Sequence, residues 1–185
     1  MILNELEKRE LSIKAWRLAQ TYSITFSLHM DLNTYVSVLP GTGLGKSEID
    51  FNNNKATIYL NLPNHDTMDD LIETLYHEIR HLQQPSLLPY EAYSTFQNML
   101  QPTPAEKELP KNEQEILAAA FYHYNPLEID ARVFAKTRGD IPRLEVLNKL
   151  SLDSLRANPT EFLLKCQNVA QDYKVENATF HNCIS

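Results

Sequence analysis

The sequence predicts an α+β fold: a single domain in which an N-terminal helix and a small, mostly antiparallel sheet (1–65) precede a helical C-terminal half (66–185). Three observations predict it. Between Tyr22 and Leu62 the chain runs in short β-rich segments separated by glycine- or asparagine-rich punctuation. From about Asp66 onward, apolar residues recur at helical spacing. The 185 residues, 43% of them hydrophobic, suffice for one core but not for two independent enzymes.

Taken in order, Ile2, Leu3, Leu6, Ile13, Trp16 and Leu18 recur at mixed three- and four-residue spacings between charges, which predicts an amphipathic packing helix over about 2–20. The runs SITFSLHM, TYVSVLP and ATIYLNL predict strands, with turns at Gly41 to Gly45 and Asn52 to Asn54. Helices are expected over 66–84, 113–123, 126–138, 142–157 and 160–174. Between the first two lies a proline-punctuated stretch (Pro85, Pro89, Pro102, Pro104, Pro110) that carries Tyr90 and Tyr93. It reads as a surface connection or as a lid over substrate.

Composition narrows the function. Seventeen Lys plus Arg against twenty-four Asp plus Glu give a net charge of −7 with no basic run, which argues against a nucleic-acid partner. No stretch of about 20 uncharged apolar residues offers a membrane span, and the opening MILNELEKRELSIKAW lacks the pattern of a signal peptide. Cys166 and Cys183 are too few for a disulfide framework, so a cytoplasmic protein with reduced thiols is expected. The segment PGTGLGKS at 40–47 approaches a phosphate-binding loop, but Pro40 replaces its first glycine. The following EIDFNNNKATIYL reads as turn and strand, not as the helix whose amides would hold phosphate.

The chemistry lies in TLYHEIRHLQQ, residues 74–84, where His77-Glu78-Ile79-Arg80-His81 is H-E-x-x-H. On a helix, four residues advance about 400°, so the two imidazoles stand one turn apart and about 40° around the axis, able to share one metal ion. Glu78 lies about 100° from His77, where its carboxylate can reach an activated water without being a ligand. Leu71, Ile72, Leu75, Ile79 and Leu82 form the opposite, apolar face. Asp70 and Glu73 share the histidine side, where either could accept the second ring N–H of His77.

A catalytic Zn2+ takes three protein ligands and keeps one position for water. The best third candidate lies in NPLEIDARVFA, 125–135, where Asn125 caps and Pro126 opens a helix. Glu128 shares a small-residue face with Ala131 and Ala135, while Asp130 points about 160° away among Ile129, Val133 and Phe134. Glu128 is favoured, with Asp130, His123 or the absence of a third ligand as alternatives.

HEIRH followed by a helix reading E-I-D-A-R-V-F-A resembles the gluzincin zinc peptidases, in which a glutamate on a second helix completes the site. The downstream stretch is most similar to the ImmA/IrrE-type regulatory metallopeptidases and the minigluzincins, departing from them at Arg132, where those families often carry Asn or Asp. The resemblance spans about residues 55–138. It implies a zincin-like fold with His77, His81 and Glu128 as zinc ligands and Glu78 as general base. It also implies that ATIYLNL, at 56–62, forms the upper edge of the cleft and pairs with an extended peptide substrate.

The expected activity is therefore zinc-dependent hydrolysis of a peptide or protein substrate. Tyr122, His123 and Tyr124 are candidate donors to the tetrahedral oxyanion. The alternatives are a regulatory or binding protein with an occluded or structural zinc site, marked by a fourth ligand, and a zinc hydrolase acting on another bond.

Overall fold

The computed structural model describes residues 31–37, 43–50, 55–61, 67–99, 106–142 and 144–175, with scattered positions outside these runs. In chain order the elements are β1 (Asp31–Ser37), β2 (Gly45–Asp50), β3 (Lys55–Asn61), α1 (Met68–Leu87), α2 (Tyr90–Asn98), a 3-10 turn at Glu106–Glu108, α3 (Lys111–His123), α4 (Pro126–Lys136), α5 (Glu145–Lys149), α6 (Leu152–Ala157) and α7 (Pro159–Asp172). The architecture is α+β and mostly helical. The chain divides into two compact units, Met1–Gln83 with Thr137–Gly139, and Gln84–Lys136 with Asp140–Ser185. No helix among the described residues is long and apolar enough to cross a membrane.

In the first unit the described residues of the N-terminal stretch are helical, and its two described apolar side chains, Leu6 and Ile13, are exposed. The sheet has the order β1-β3-β2. β1 runs parallel to β3 from Asp31↔Lys55 to Ser37↔Asn61, and β2 runs antiparallel to it from Gly45↔Leu60 to Asp50↔Lys55. The expected mostly antiparallel sheet is thus a mixed one. The expected pairing of ATIYLNL with substrate is corrected too: β3 is central, hydrogen-bonded on both sides, and cannot offer a free edge to substrate. Alternation along β3 buries Ala56, Ile58 and Leu60 on one face. The Gly45-Lys46-Ser47 of the near phosphate loop lies inside β2, so no helix opens there. SITFSLHM lies outside the described residues.

Helix α1 begins with a reciprocal cap. Thr67 Oγ1 accepts from the Asp70 N–H at 3.1 Å, and Asp70 Oδ2 accepts from the Thr67 N–H at 3.0 Å and its hydroxyl at 2.7 Å. The helix continues past its expected end at Gln84 to Leu87, carrying Pro85 in its last turn. A proline has no N–H for the carbonyl one turn earlier, a smaller cost in a last turn than in a helix interior.

The second unit has its own core, built from Ala92 and Phe96 of α2, Leu127, Ile129 and Val133 of α4, Val146, Leu147 and Leu150, and Phe162, Cys166, Val169 and Ala170 of α7. Phe96 and Phe162 stack with ring centroids 6.2 Å apart. The expected helix over 142–157 is two short ones. Ser151, at the N-cap position of α6, takes an extended backbone at ψ 150° and makes no side-chain cap, while the chain turns to bury Leu150. Asn125 caps α4 as expected, its Oδ1 accepting from the Leu127 N–H at 2.8 Å. Its Nδ2 also donates to the Phe96 carbonyl at 2.7 Å, joining α4 to α2. Gln84, fully buried in the last turn of α1, donates through Nε2 to the Leu127 carbonyl at 2.7 Å and to Asp130 Oδ2 at 2.9 Å.

Candidate metal centre

The helical spacing of α1 sorts its side chains as the sequence predicts. Leu71, Ile72, Leu75, Ile79 and Leu82 are buried, while His77 and His81 are half-buried one turn apart. Their Nε2 atoms face each other at 3.0 Å and their rings meet edge to face at 85°. Two nitrogens held by one tetrahedral zinc at bond lengths of about 2.0–2.1 Å stand about 3.3 Å apart, so the pair is already near ligand spacing.

Among the described residues, His77, His81 and Glu128 form a group that could hold a metal ion, with one ligand atom from each lying within 4.8 Å of the others. Glu128 is buried at 6% exposure in the first turn of α4, behind the Asn125-Pro126 opening. Two imidazoles and a carboxylate suit a divalent transition metal.

The competing third ligands do not join this group. Asp130 is buried on another side of α4, where Gln84 donates to it. His123, at the end of α3, turns its Nδ1 to Arg132, which donates from Nη1 at 2.7 Å. An arginine can only donate, so Nδ1 of His123 is the acceptor in that bond.

Arg132 occupies the position at which the sequence departs from the resembled families. Its Nε donates to the Glu128 carbonyl at 3.2 Å, Nη2 donates to the His123 carbonyl, and Nη1 also reaches the Val175 carbonyl at 3.4 Å. The guanidinium thus fixes the backbone that carries Glu128. Burial pushes its pKa below the ordinary arginine value, and the charge of Glu128 opposes that shift.

Glu78 is buried at 7% exposure beside the histidines. A Cβ on Gly45 would stand 3.1 Å from both Cγ and Oε1 of Glu78, so the start of β2 lies directly against this carboxylate. Asp70, one of two expected partners for His77, has its carboxylate engaged in the Thr67 cap. Glu73, the other, is exposed. Of the candidate oxyanion donors, Tyr122 is exposed and Tyr124 is half-buried, its ring edge to face with His123 at 4.8 Å. Tyr90 is exposed, and Tyr93 is half-buried, its hydroxyl accepting from Gln97 Nε2 at 3.2 Å.

Three residues near this chemistry escape sequence reasoning: Gly45, Thr74 and His65. Gly45 reads as turn punctuation, and Thr74 as one more position on the helix. His65 stands in an isolated Asn-His-Asp before the cap, whose only signal is a histidine near a helix start. Gln84 is likewise silent in sequence, since nothing local marks a glutamine that grips α4.

The chain matches no protein-family model, no curated protein and no solved structure.

Proposed function

We propose that this protein is a zinc-dependent metallopeptidase of gluzincin type. The observation that carries the reading is the grouping of His77, His81 and Glu128 within 4.8 Å, with Glu78 buried alongside the motif histidines. A set of three ligands leaves one tetrahedral position for water, and no fourth His, Cys, Asp or Glu joins the group among the described residues. That supports a hydrolytic site over an occluded or structural one.

His77 and His81 would hold the metal through Nε2, and Glu128 through a carboxylate oxygen. When bound, Zn2+ acidifies water and polarises a carbonyl. Glu78 then acts as general base: its carboxylate takes the proton of the attacking water and returns it to the leaving amine. Arg132 holds the Glu128 carbonyl, keeping the carboxylate-bearing turn in place.

The substrate in this reading is an extended peptide segment. It pairs with β2, the strand whose first residue lies against Glu78, and not with the central β3. The proposed setting is the reducing cytoplasm, in line with the free thiol of Cys166.

The test is hydrolysis of a peptide library by zinc-loaded protein, with Glu78→Gln as control. The reading expects cleavage that falls at least about 100-fold in Glu78→Gln, the lower range for loss of a general base, with zinc content unchanged. Cleavage that survives Glu78→Gln, or no cleavage of any library member, would contradict it.

A further inference from the structure

We infer that Gly45, Thr74 and His65 form a bracket that positions the Glu78 carboxylate, which makes them positioning residues for the general base. The inference rests on the reading of Glu78 given above, but the bracket itself is visible in contacts that need no metal.

The bracket closes on itself within the first unit. The Asn61 N–H at the end of β3 donates to the Leu44 carbonyl at 2.8 Å, and Asn61 Nδ2 donates to the Gly43 carbonyl at 2.9 Å. Asn64 Nδ2 donates to the same Gly43 carbonyl at 3.0 Å, so the entry to β2 is clamped from two side chains. The Asn61 carbonyl accepts from His65 Nδ1 at 2.7 Å. A carbonyl only accepts, so Nδ1 carries the proton of that bond, while Nε2 is hydrogen-bonded to the Thr74 hydroxyl at 2.9 Å. His65 is thereby buried with both ring nitrogens engaged.

Thr74 lies one turn before Glu78 on α1. Its hydroxyl, held by His65, fixes χ1, and a β-branched side chain so fixed has its methyl direction determined as well. That methyl points at Gly45: a Cβ there would meet Thr74 Cγ2 at 2.7 Å, closer than real Cβ contacts allow, and Glu78 Cγ and Oε1 at 3.1 Å. Gly45 is not among the residues with positive φ, so the glycine is required for space and not for backbone conformation. The strand backbone therefore closes on the Glu78 side chain and restricts where its carboxylate can go. For a general base this matters, because an ångström of misplacement can cost about 100-fold in rate.

The test reads the Glu78 carboxylate directly. Protein labelled with 13C at the glutamate δ-carbon gives a Glu78 signal, assigned by its absence in Glu78→Gln. It is compared in chelator-stripped wild type, Gly45→Ala, Thr74→Ser and the Gly45→Ala/Thr74→Ser pair. The pair removes the 2.7 Å clash but keeps the added methyl against Glu78, so the comparison of the pair with Thr74→Ser stands even if Gly45→Ala alone does not fold. The bracket predicts a displaced Glu78 signal in the pair relative to Thr74→Ser. On zinc loading it predicts one zinc per chain in both, with kcat at least about tenfold lower in the pair and KM within about twofold. An unmoved signal, or a moved signal with unchanged kcat in an active enzyme, would overturn the inference. Absence of peptidase activity in wild type would defeat the proposed function alone, since the signal comparison uses stripped protein.

Discussion

The Nε2 atoms of His77 and His81 point at each other across 3.0 Å, one turn apart on the same helix. Joint metal ligation requires a lone pair on both of these nitrogens. Under the proposed zinc reading, His77 and His81 would both carry their ring proton at Nδ1 and offer Nε2 as ligand. Long-range 1H–15N NMR on histidine-labelled protein is expected to show both Nε2 signals moving to the ligated range on zinc addition, in both His77 and His81. A change in only one ring would contradict shared ligation.

Asn125 spans two helices through one amide, capping α4 with Oδ1 and tying the Phe96 carbonyl with Nδ2. Because Asn125 is fully buried, Asn125→Ala removes the cap and leaves the Phe96 carbonyl without this donor. A loss of about 2–4 kcal/mol in urea unfolding is expected, from about 1 kcal/mol for the cap and about 1–3 kcal/mol for the unsatisfied carbonyl. A loss below about 0.5 kcal/mol would show that the tie contributes nothing.

Helix α7 ends in a Schellman arrangement with a lysine where glycine is usual. The Val175 N–H donates to the Ala170 carbonyl and the Lys174 N–H to the Gln171 carbonyl, both at 2.9 Å, while Lys174 sits at φ 54°. Lys174→Gly relieves the left-handed strain while leaving the Lys136 contact to the residue 174 carbonyl in place. A gain of about 1 kcal/mol is expected, read as a raised Tm, and a lowered Tm would contradict the assigned backbone conformation.

Cys166 is fully buried in the second unit, and burial pushes its thiol up to about 12. The folded protein holds this proton to higher pH than the unfolded chain. The thiol therefore contributes stability below its unfolded value near pH 8.5, and that contribution is lost as pH rises toward the folded value. In a Cys183→Ser background, which leaves one thiol, Cys166 should resist a disulfide reagent at pH 8 and react fully after urea unfolding. Prompt reaction in the native protein would contradict its burial.

Much of the site is legible in the sequence because helix geometry converts spacing into direction. His77, Glu78 and His81 follow from a four-residue step, and Asn125-Pro126 marks the start of the helix that carries Glu128. The preference for Glu128 over Asp130 comes from helical phase alone, and the Gln84 contact shows what the other carboxylate does. What the sequence hides is long-range. Nothing local in KATIYLN says that β3 is flanked on both sides, since strand order depends on partners distant in sequence. The break at Leu150–Ser151 comes from burial of Leu150, which overrides a periodicity that reads as one helix. Gly45 is silent because close approach of a strand to a helix leaves no trace in the sequence beyond the glycine itself.

The measurement that most directly tests the central claim is metal content by elemental analysis, on protein purified without chelators or an affinity tag, in native, Glu128→Ala and Asp130→Ala forms. The account predicts about one zinc per chain in the native protein, its loss in Glu128→Ala, and its retention in Asp130→Ala, whose carboxylate serves Gln84 instead. A native protein that takes up no zinc even when it is supplied, or a Glu128→Ala variant that keeps it, would contradict the account.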